Sequence, residues 1–146
     1  MIALIQRVSN ASVDINEKRY SEIVKGLLVF VGIERNDQRK DADYLANKIV
    51  NMRIFEDDAG KMNLSIKDIK GEIMIVSEFT LAGDCRKGLR PSFEKAMPPQ
   101  EAEKLYRYFI EKIKGYGINV KEGLFRSFMK VNLTNEGPVT FILSSR

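Results

Sequence analysis

No histidine occurs in the sequence. Its absence removes the usual near-neutral acid–base group, and with it every Ser-His and Cys-His nucleophile pair. Cys85 is the sole cysteine, so an intrachain disulfide and zinc sites of the Cys/His type are excluded as well. Without an activating base nearby in sequence, Cys85 reads as an inert side chain. No apolar run approaches the roughly 18 residues needed to cross a bilayer. The opening MIALIQRVSN reaches Gln6 and Arg7 too early for the apolar region of a signal peptide. Together these absences point to a cytoplasmic protein. An enzyme built from this chain must draw its chemistry from carboxylates, lysines, hydroxyls, backbone dipoles or its substrate.

What is present suits one compact domain over residues 1–146, because 44% of the residues are hydrophobic and enough apolar surface exists for a core. The net charge of +4 suits a polyanionic partner, since lysines and arginines meeting phosphates release counterions. The same excess equally serves solubility.

The apolar pattern predicts the element order. IALIQRVSNASVDI, RYSEIV and GLLVFVGIE read as a β-meander, and DQRKDADYLANKIVNM then switches to helical spacing. Ala42, Leu45, Ala46, Ile49 and Met52 share one helix face, with Asn36 or Asp37 as the cap. RIFEDDAGKMNLSIKDIKG predicts a short strand and a long polar loop, and EIMIVSEFTL a central strand. PPQEAEKLYRYFIEKIKGYG is a second helix, opened by proline and acids and closed by Lys112, Lys114 and Gly115. INVKEG, FMKVNLTNE and VTFILSS return to strand. The expected class is α+β, with antiparallel β-sheets, layered or barrel-like, packed with two main helices.

Several stretches carry candidate chemistry. Asp57-Asp58 offers a carboxylate pair, although DDAGK is also good turn chemistry. Arg86, Lys87 and Arg90 lie in a long loop after the central strand, with Phe93 nearby, where they suit a phosphate backbone and a stacked base. A solvated charged loop is the plain alternative. Ser77 to Thr80 ends the central strand, and Thr80 is a possible nucleophile that lacks a histidine to activate it. Gly137-Pro138 interrupts strand-forming sequence, although proline cannot donate to a ladder. That pair is either a hairpin turn or a stretch of backbone offered to a ligand.

The blocks QRVSNASV, KIVNMRIFEDDAGKMNLS, SEFTL, RKGLRPSF and NEGPVT occur in this order. Together, over essentially the whole chain, they resemble the D-aminoacyl-tRNA deacylases, which hydrolyse D-amino acids from tRNA. The resemblance implies a cytoplasmic homodimer that needs no metal or organic cofactor and binds the 3′ end of a D-aminoacyl-tRNA. It implies a cross-subunit active site: Ser77, Glu78, Phe79 and Thr80 from one subunit, Gly137 and Pro138 from the other. In the family the Gly-Pro bond is cis, which directs two bare carbonyl oxygens into the pocket. Those oxygens would occupy the space of an L side chain, so handedness is selected by exclusion and glycyl-tRNA should be cleaved too. The 2′-hydroxyl of the terminal adenosine would help activate water, while backbone N–H groups of Ser77 to Thr80 receive the oxyanion. Phe79 would touch the adenosine, and Phe125, Met129, Arg86, Lys87 and Arg90 would contact substrate or tRNA.

This chain departs from the family at two places. Glu78 stands where glutamine is usual, and an ionised carboxylate accepts but cannot donate. Arg126 and Ser127 replace the two small residues of a Gly-x-Phe-Gly-Ala-x-Met pattern, of which Gly123, Phe125 and Met129 remain. Two rival readings are a non-catalytic RNA-binding module and a metal hydrolase using Asp57 and Asp58.

Overall fold

The two longest strands lie near the two ends of the chain and run against each other. In the computed structural model, which describes residues 1–146, β1 (Ile2–Ile15) pairs antiparallel with β8 (Lys130–Ser144) along nearly its whole length. On its other edge β1 pairs with β3 (Gly26–Gly32) and, further along, with β2 (Lys18–Ile23). β3 then pairs in parallel with β6 (Glu72–Ser77), and β6 in parallel with β7 (Asn119–Glu122). The helix α1 (Arg39–Asn51) lies in the crossover from β3 to β6, and α2 (Pro99–Lys114) in that from β6 to β7. The expected class, α+β with two main helices, is the one observed. The antiparallel expectation describes the pairings of β1, but the sheet as a whole is mixed. A crossover long enough to hold a helix brings the next strand back in the same direction.

The sheet buries side chains on both faces. Ala3, Ile5, Leu27, Val29, Ile73 and Ile75 meet α1 through Ala42, Leu45, Ala46 and Ile49, and α2 through Ala102, Leu105, Phe109 and Ile113. The predicted faces of both helices are therefore the buried ones, except that Met52 is only partly covered. The start of α1 differs from expectation. Gln38 is its cap, in a reciprocal box with Asp41. Asp37 is instead recruited by the chain ends: its buried carboxylate accepts from the Met1 ammonium at 2.6 Å and from the Glu34 N–H at 2.6 Å. The Arg146 guanidinium closes on the same group.

On the opposite face Val8, Ala11, Val13, Ile23, Leu28, Met74 and Val76 form a second cluster, with Met129, Val131 and Leu133 packed against it. This cluster draws the far half of β1 and β8 over the sheet, nearly closing a barrel. Ser21 Oγ donates across the gap to the Glu122 carbonyl at 2.9 Å. The polar loop after α1 holds a small hairpin of β4 (Phe55–Glu56) and β5 (Met62–Leu64). Asp57 shapes its turn, accepting from the N–H groups of Ala59 and Lys61 and from Asn63 Nδ2.

Tyr106 of α2 reaches through the core to the end of β6. Its hydroxyl donates to the Ile75 carbonyl at 2.9 Å, and burial pushes its pKa upward. Removing that hydroxyl deletes a buried hydrogen bond, while the Ile75 carbonyl still accepts from the Gly123 N–H. Tyr106→Phe should therefore lower stability by about 0.5–1.5 kcal/mol, read as a shifted urea midpoint with an unchanged slope.

Candidate active site

β3 and β6 end at the same rim, where Val31 is paired with Ser77. The ladder continues for one more bond, from the Glu78 N–H to the Val31 carbonyl at 2.8 Å. The expected strand SEFTL thus stops at Ser77, and Phe79–Ala82 forms a short 3-10 turn. That turn lies directly on Gly32, where a Cβ would fall 2.7 Å from the Leu81 Cβ, so only glycine admits the approach. Glu78 caps the turn. Its Oε1 accepts from the Thr80 N–H at 3.3 Å and also from the Thr80 hydroxyl.

A pocket of about 720 Å3 opens at this rim. Ser77, Glu78 and Phe79 form one wall, with Val31 and Ile33 beside them. Phe93, Met97 and Pro98, ahead of α2, form the second. Phe125 to Met129, together with Val131, form the third. Phe79 and Phe93 pack with ring centroids 5.0 Å apart at 59°. Phe79 is nevertheless 58% exposed, a large apolar surface left free at a pocket mouth. Phe125 packs on Tyr106 at 5.6 Å, so the tyrosine that ties β6 also fixes the third wall.

The structure therefore brings Ser77, Glu78, Phe79, Phe125 and Met129 together in one pocket. Thr80 is exposed and is not among the residues that line it. Arg86, Lys87 and Arg90 lie outside the lining, in a loop closed by paired Asp84 and Ser92 backbones. Arg86 is moreover committed to Asp84, donating from Nε at 2.9 Å and from Nη2. Asp57 and Asp58 sit at the β4–β5 turn, away from the pocket, with the lone pairs of Asp57 engaged by three N–H groups. Cys85 is exposed in the loop after β6.

Gly137 and Pro138 do not line the pocket of their own chain. They form no hairpin turn either: β8 runs through them, and both of its halves pair with β1, Asn135 opposite Val8 and Thr140 opposite Gln6. The peptide bond between them is cis, and Gly137 has φ 148, a conformation open to glycine. Both residues are exposed at this bulge. Beneath it lies Arg7, whose importance sequence reading missed. Its buried guanidinium donates from Nε to the Glu136 carbonyl at 2.8 Å and from Nη1 to the Ile54 carbonyl at 2.9 Å. A lone arginine among the apolar residues of β1 is the signal that marks it.

Comparison with known proteins extends across the whole chain. Residues 4–144 match the family model described as D-Tyr-tRNA(Tyr) deacylase. The D-aminoacyl-tRNA deacylase of Thermodesulfovibrio yellowstonii is 67% identical, with both chains covered in full. That of Thermosipho melanesiensis is 57% identical, over 100% of this chain and 98% of its own. Among solved structures, one described as c-Myc DNA Unwinding Element Binding Protein superposes with a TM-score of 0.95 at 39% identity, covering 100% and 99% of the two chains. A probable eukaryotic D-amino acid tRNA deacylase has the same fold, with a TM-score of 0.86 at 15% identity over 97% of each chain.

The loop beside the pocket is held electrostatically. The Arg86 hydrogen bond keeps the Asp84 carboxyl well below the usual carboxylate range. A carboxyl depressed in the folded state stabilises it fully above the unfolded value of about 4, and the contribution fades only as pH falls toward the lower folded value. The loop should thus keep its form through neutral and mildly acidic pH. Asp84→Ala should raise tryptic cleavage at Arg86 and Lys87 several-fold at neutral pH while leaving the global unfolding midpoint in place.

Proposed function

The chain belongs to the D-Tyr-tRNA(Tyr) deacylase family, and from that premise we propose that it hydrolyses the ester joining a D-amino acid to the 3′ end of tRNA. It is then a hydrolase acting on ester bonds, a single domain over residues 1–146 that needs no cofactor, acts in the cytoplasm and works as a homodimer. The observation that carries this reading is the pocket at the end of β6: Ser77, Glu78 and Phe79 line it beside the rings of Phe93, Phe125 and Phe128, in a chain without histidine. Such a site acts by positioning the ester, excluding bulk water and aiming N–H donors at the developing oxyanion.

The candidate donors can be narrowed. The Glu78 N–H is bonded to Val31 and the Thr80 N–H to the Glu78 carboxylate. Of the two remaining amides, that of Ser77 lies beside the buried Tyr106 hydroxyl, and we assign the oxyanion contact to that of Phe79. The Phe79 ring, backed by Phe93, receives the terminal adenosine. The amino acid lies toward Phe125 and Met129. The 2′-hydroxyl of that adenosine supplies the activating help that the protein lacks.

Chirality is selected by the carbonyl oxygens of Gly137 and Pro138 entering from the partner subunit. They occupy the volume an L side chain needs, while a D side chain points outward and glycine presents nothing to exclude. The departure at Glu78 is mild in this scheme. Its contact with Thr80 uses an oxygen as acceptor, which the carbonyl of a glutamine also supplies.

A second reading draws on the Thr80 hydroxyl donating to Glu78. A carboxylate so placed is a base for that hydroxyl, which would make Thr80 the nucleophile. Its position outside the pocket favours the first reading.

Assays on purified protein separate these readings. D-tyrosyl- and glycyl-tRNA should be deacylated and L-tyrosyl-tRNA left intact. A substrate ending in 2′-deoxyadenosine should be almost inert. Thr80→Ala should keep a rate near that of the parent, whereas a loss of about 4 kcal/mol in transition-state stabilisation would identify the hydroxyl as nucleophile. Binding of aminoacyl-tRNA without any hydrolysis would leave only an RNA-binding module.

Gly137→Ala tests the selector itself. Its Cβ would fall 2.6 Å from Val139 Cγ2 and 2.8 Å from the Val139 nitrogen, so the bulge must shift. At an exposed position the fold should survive. Activity on D-tyrosyl-tRNA should fall by about a hundredfold, as displacements of an ångström at a reacting centre do, or rejection of the L substrate should weaken.

A further inference from the structure

Two guanidiniums stand in the pocket with nothing in the protein to pair them. Arg35 follows the end of β3, and Arg126 belongs to the turn between β7 and β8; both line the pocket. Neither comes within 4.0 Å of a carboxylate oxygen. Arg35 also borders a second, polar cavity with Glu34, Glu94 and Lys95. Outside the pocket, Arg7, Arg19, Arg86, Arg107 and Arg146 bridge to acids and Arg39 lies over the Tyr108 ring, whereas Arg53 and Arg90 bridge to none. The one acid lining the pocket itself is Glu78, which is turned to Thr80.

The backbone makes Arg126 more telling. Its φ is 60, in the left-handed region where a side chain is disfavoured and glycine is at home. The Ser127 N–H closes the turn on the Leu124 carbonyl at 3.2 Å. Phe125 is thereby set inward against Tyr106, and Arg126 is left at the pocket edge. Nothing in the turn calls for an arginine, so its reason lies in what the pocket receives.

Given the deacylase reading, on which this inference rests, the ligand's other parts are already placed. The adenine, the ester and the amino-acid side chain meet aromatic rings, backbone and apolar wall. The remaining negative charge at the 3′ end, the α-amino group being cationic, is the phosphodiester joining the terminal nucleotide to the one before it. We propose that Arg35 and Arg126 grip this phosphodiester, one guanidinium from each wall, and so set how deeply the terminal adenosine enters. A phosphodiester offers two free oxygens, and guanidinium forks suit them better than point-charge ammonium groups do. This role is distinct from that of Lys87 and Arg90, which lie outside the pocket and would meet RNA further along.

The test separates phosphate binding from every other contact. One probe is an RNA minihelix ending in CCA with D-alanine joined to the terminal adenosine by a non-hydrolysable amide. The other is the same D-alanyl-adenosine amide as a free nucleoside, without phosphate. Arg126→Gly places glycine at a left-handed position, so the variant should fold at least as well as the parent; Arg35→Ala is its companion. Each should weaken minihelix binding about tenfold and lower the salt slope of log affinity by about 0.7, as loss of one phosphate contact to a single strand does. Nucleoside binding should stay within about twofold, because a phosphate contact makes no demand on a phosphate-free ligand. Arg126→Lys should recover part of the loss, and Lys48→Ala, equal in net charge to the arginine variants lacking one cation, should recover nothing because it loses nothing.

Minihelix affinity unchanged in both arginine variants would overturn the proposal, and so would a parallel loss of nucleoside affinity. Turnover of D-aminoacyl-tRNA is read separately. Absent turnover with the binding difference intact retires the deacylase reading and supports the phosphate grip. Normal turnover with unaltered affinities retires the grip alone.

Discussion

The parallel pairing of β3 with β6 is the constraint from which the site follows. Parallel strands end at the same rim, so Val31 and Ser77 leave the sheet side by side and their crossovers must both depart there. Ligands of sheets with parallel strands collect in the crevice beyond those carboxyl ends. The last ladder bond, Glu78 N–H to Val31, fixes where the sheet stops, and the contact on Gly32 fixes where the next turn lies. Tyr106 then couples this edge to α2 and, through Phe125, to the opposite wall. The pocket is thus a consequence of register. A slip of one residue would exchange the faces of β6, trading Ile73 and Ile75 for Met74 and Val76 between the two clusters, and would move Ser77 away from its place beside Val31.

A site of this kind needs no histidine. A titrating base works by moving a proton on demand, whereas a backbone amide stays pointed at the place where negative charge will form and requires no reorganisation. Removing a single such donor in enzymes generally costs about 10²–10³ in rate, which would be the scale at stake at Phe79 under the proposed assignment. The surrounding design is consistent with that requirement. The amides of Glu78 and Thr80 are engaged, the turn is capped by Glu78, and apolar walls lower the dielectric so that one N–H directed at the ester would matter more. Substituting glutamate for glutamine alters the charge of the pocket but preserves the acceptor that caps the turn.

Much of this was legible in the sequence because the relevant signals are local and periodic. The buried faces of α1 and α2 follow from helical spacing, and β1, β3 and β6 follow from apolar runs. Strand direction was less legible, since a run such as EIMIVS fits a parallel or an antiparallel neighbour equally and only the crossover decides. The cap of α1 was misplaced by one or two residues, because Asn36 and Asp37 have the right chemistry and Asp37 is claimed by Met1 and Arg146, more than 30 residues away in sequence on either side. The resemblance singled out Ser77–Thr80 as one catalytic block, whereas the fold divides it: Ser77, Glu78 and Phe79 line the pocket and Thr80 lies exposed outside the lining. Tyr106 and Arg7 were invisible for the same reason: both act on backbone groups far away in the chain, and no spacing rule encodes such a contact.

The placement of Gly137-Pro138 shows why one chain does not complete the proposed selector. The bulge lies opposite Arg7, and Arg7 is paired with Leu27, whereas the pocket begins at Val31 on the same strand. Four residues of strand amount to about 13 Å along the sheet. From β8 to β6 the path crosses β1 and β3, adding about 14 Å at the usual strand spacing. Bringing the motif into its own pocket would require tearing β8 from β1, the longest pairing in the molecule. Arg7 opposes even a small excursion, because its buried guanidinium holds the Glu136 carbonyl immediately ahead of the motif. A rigid, exposed bulge that cannot bend inward is suited to docking into another copy. In a two-fold dimer each copy would then supply the selector for its partner, and two identical pockets would be completed by one self-complementary interface.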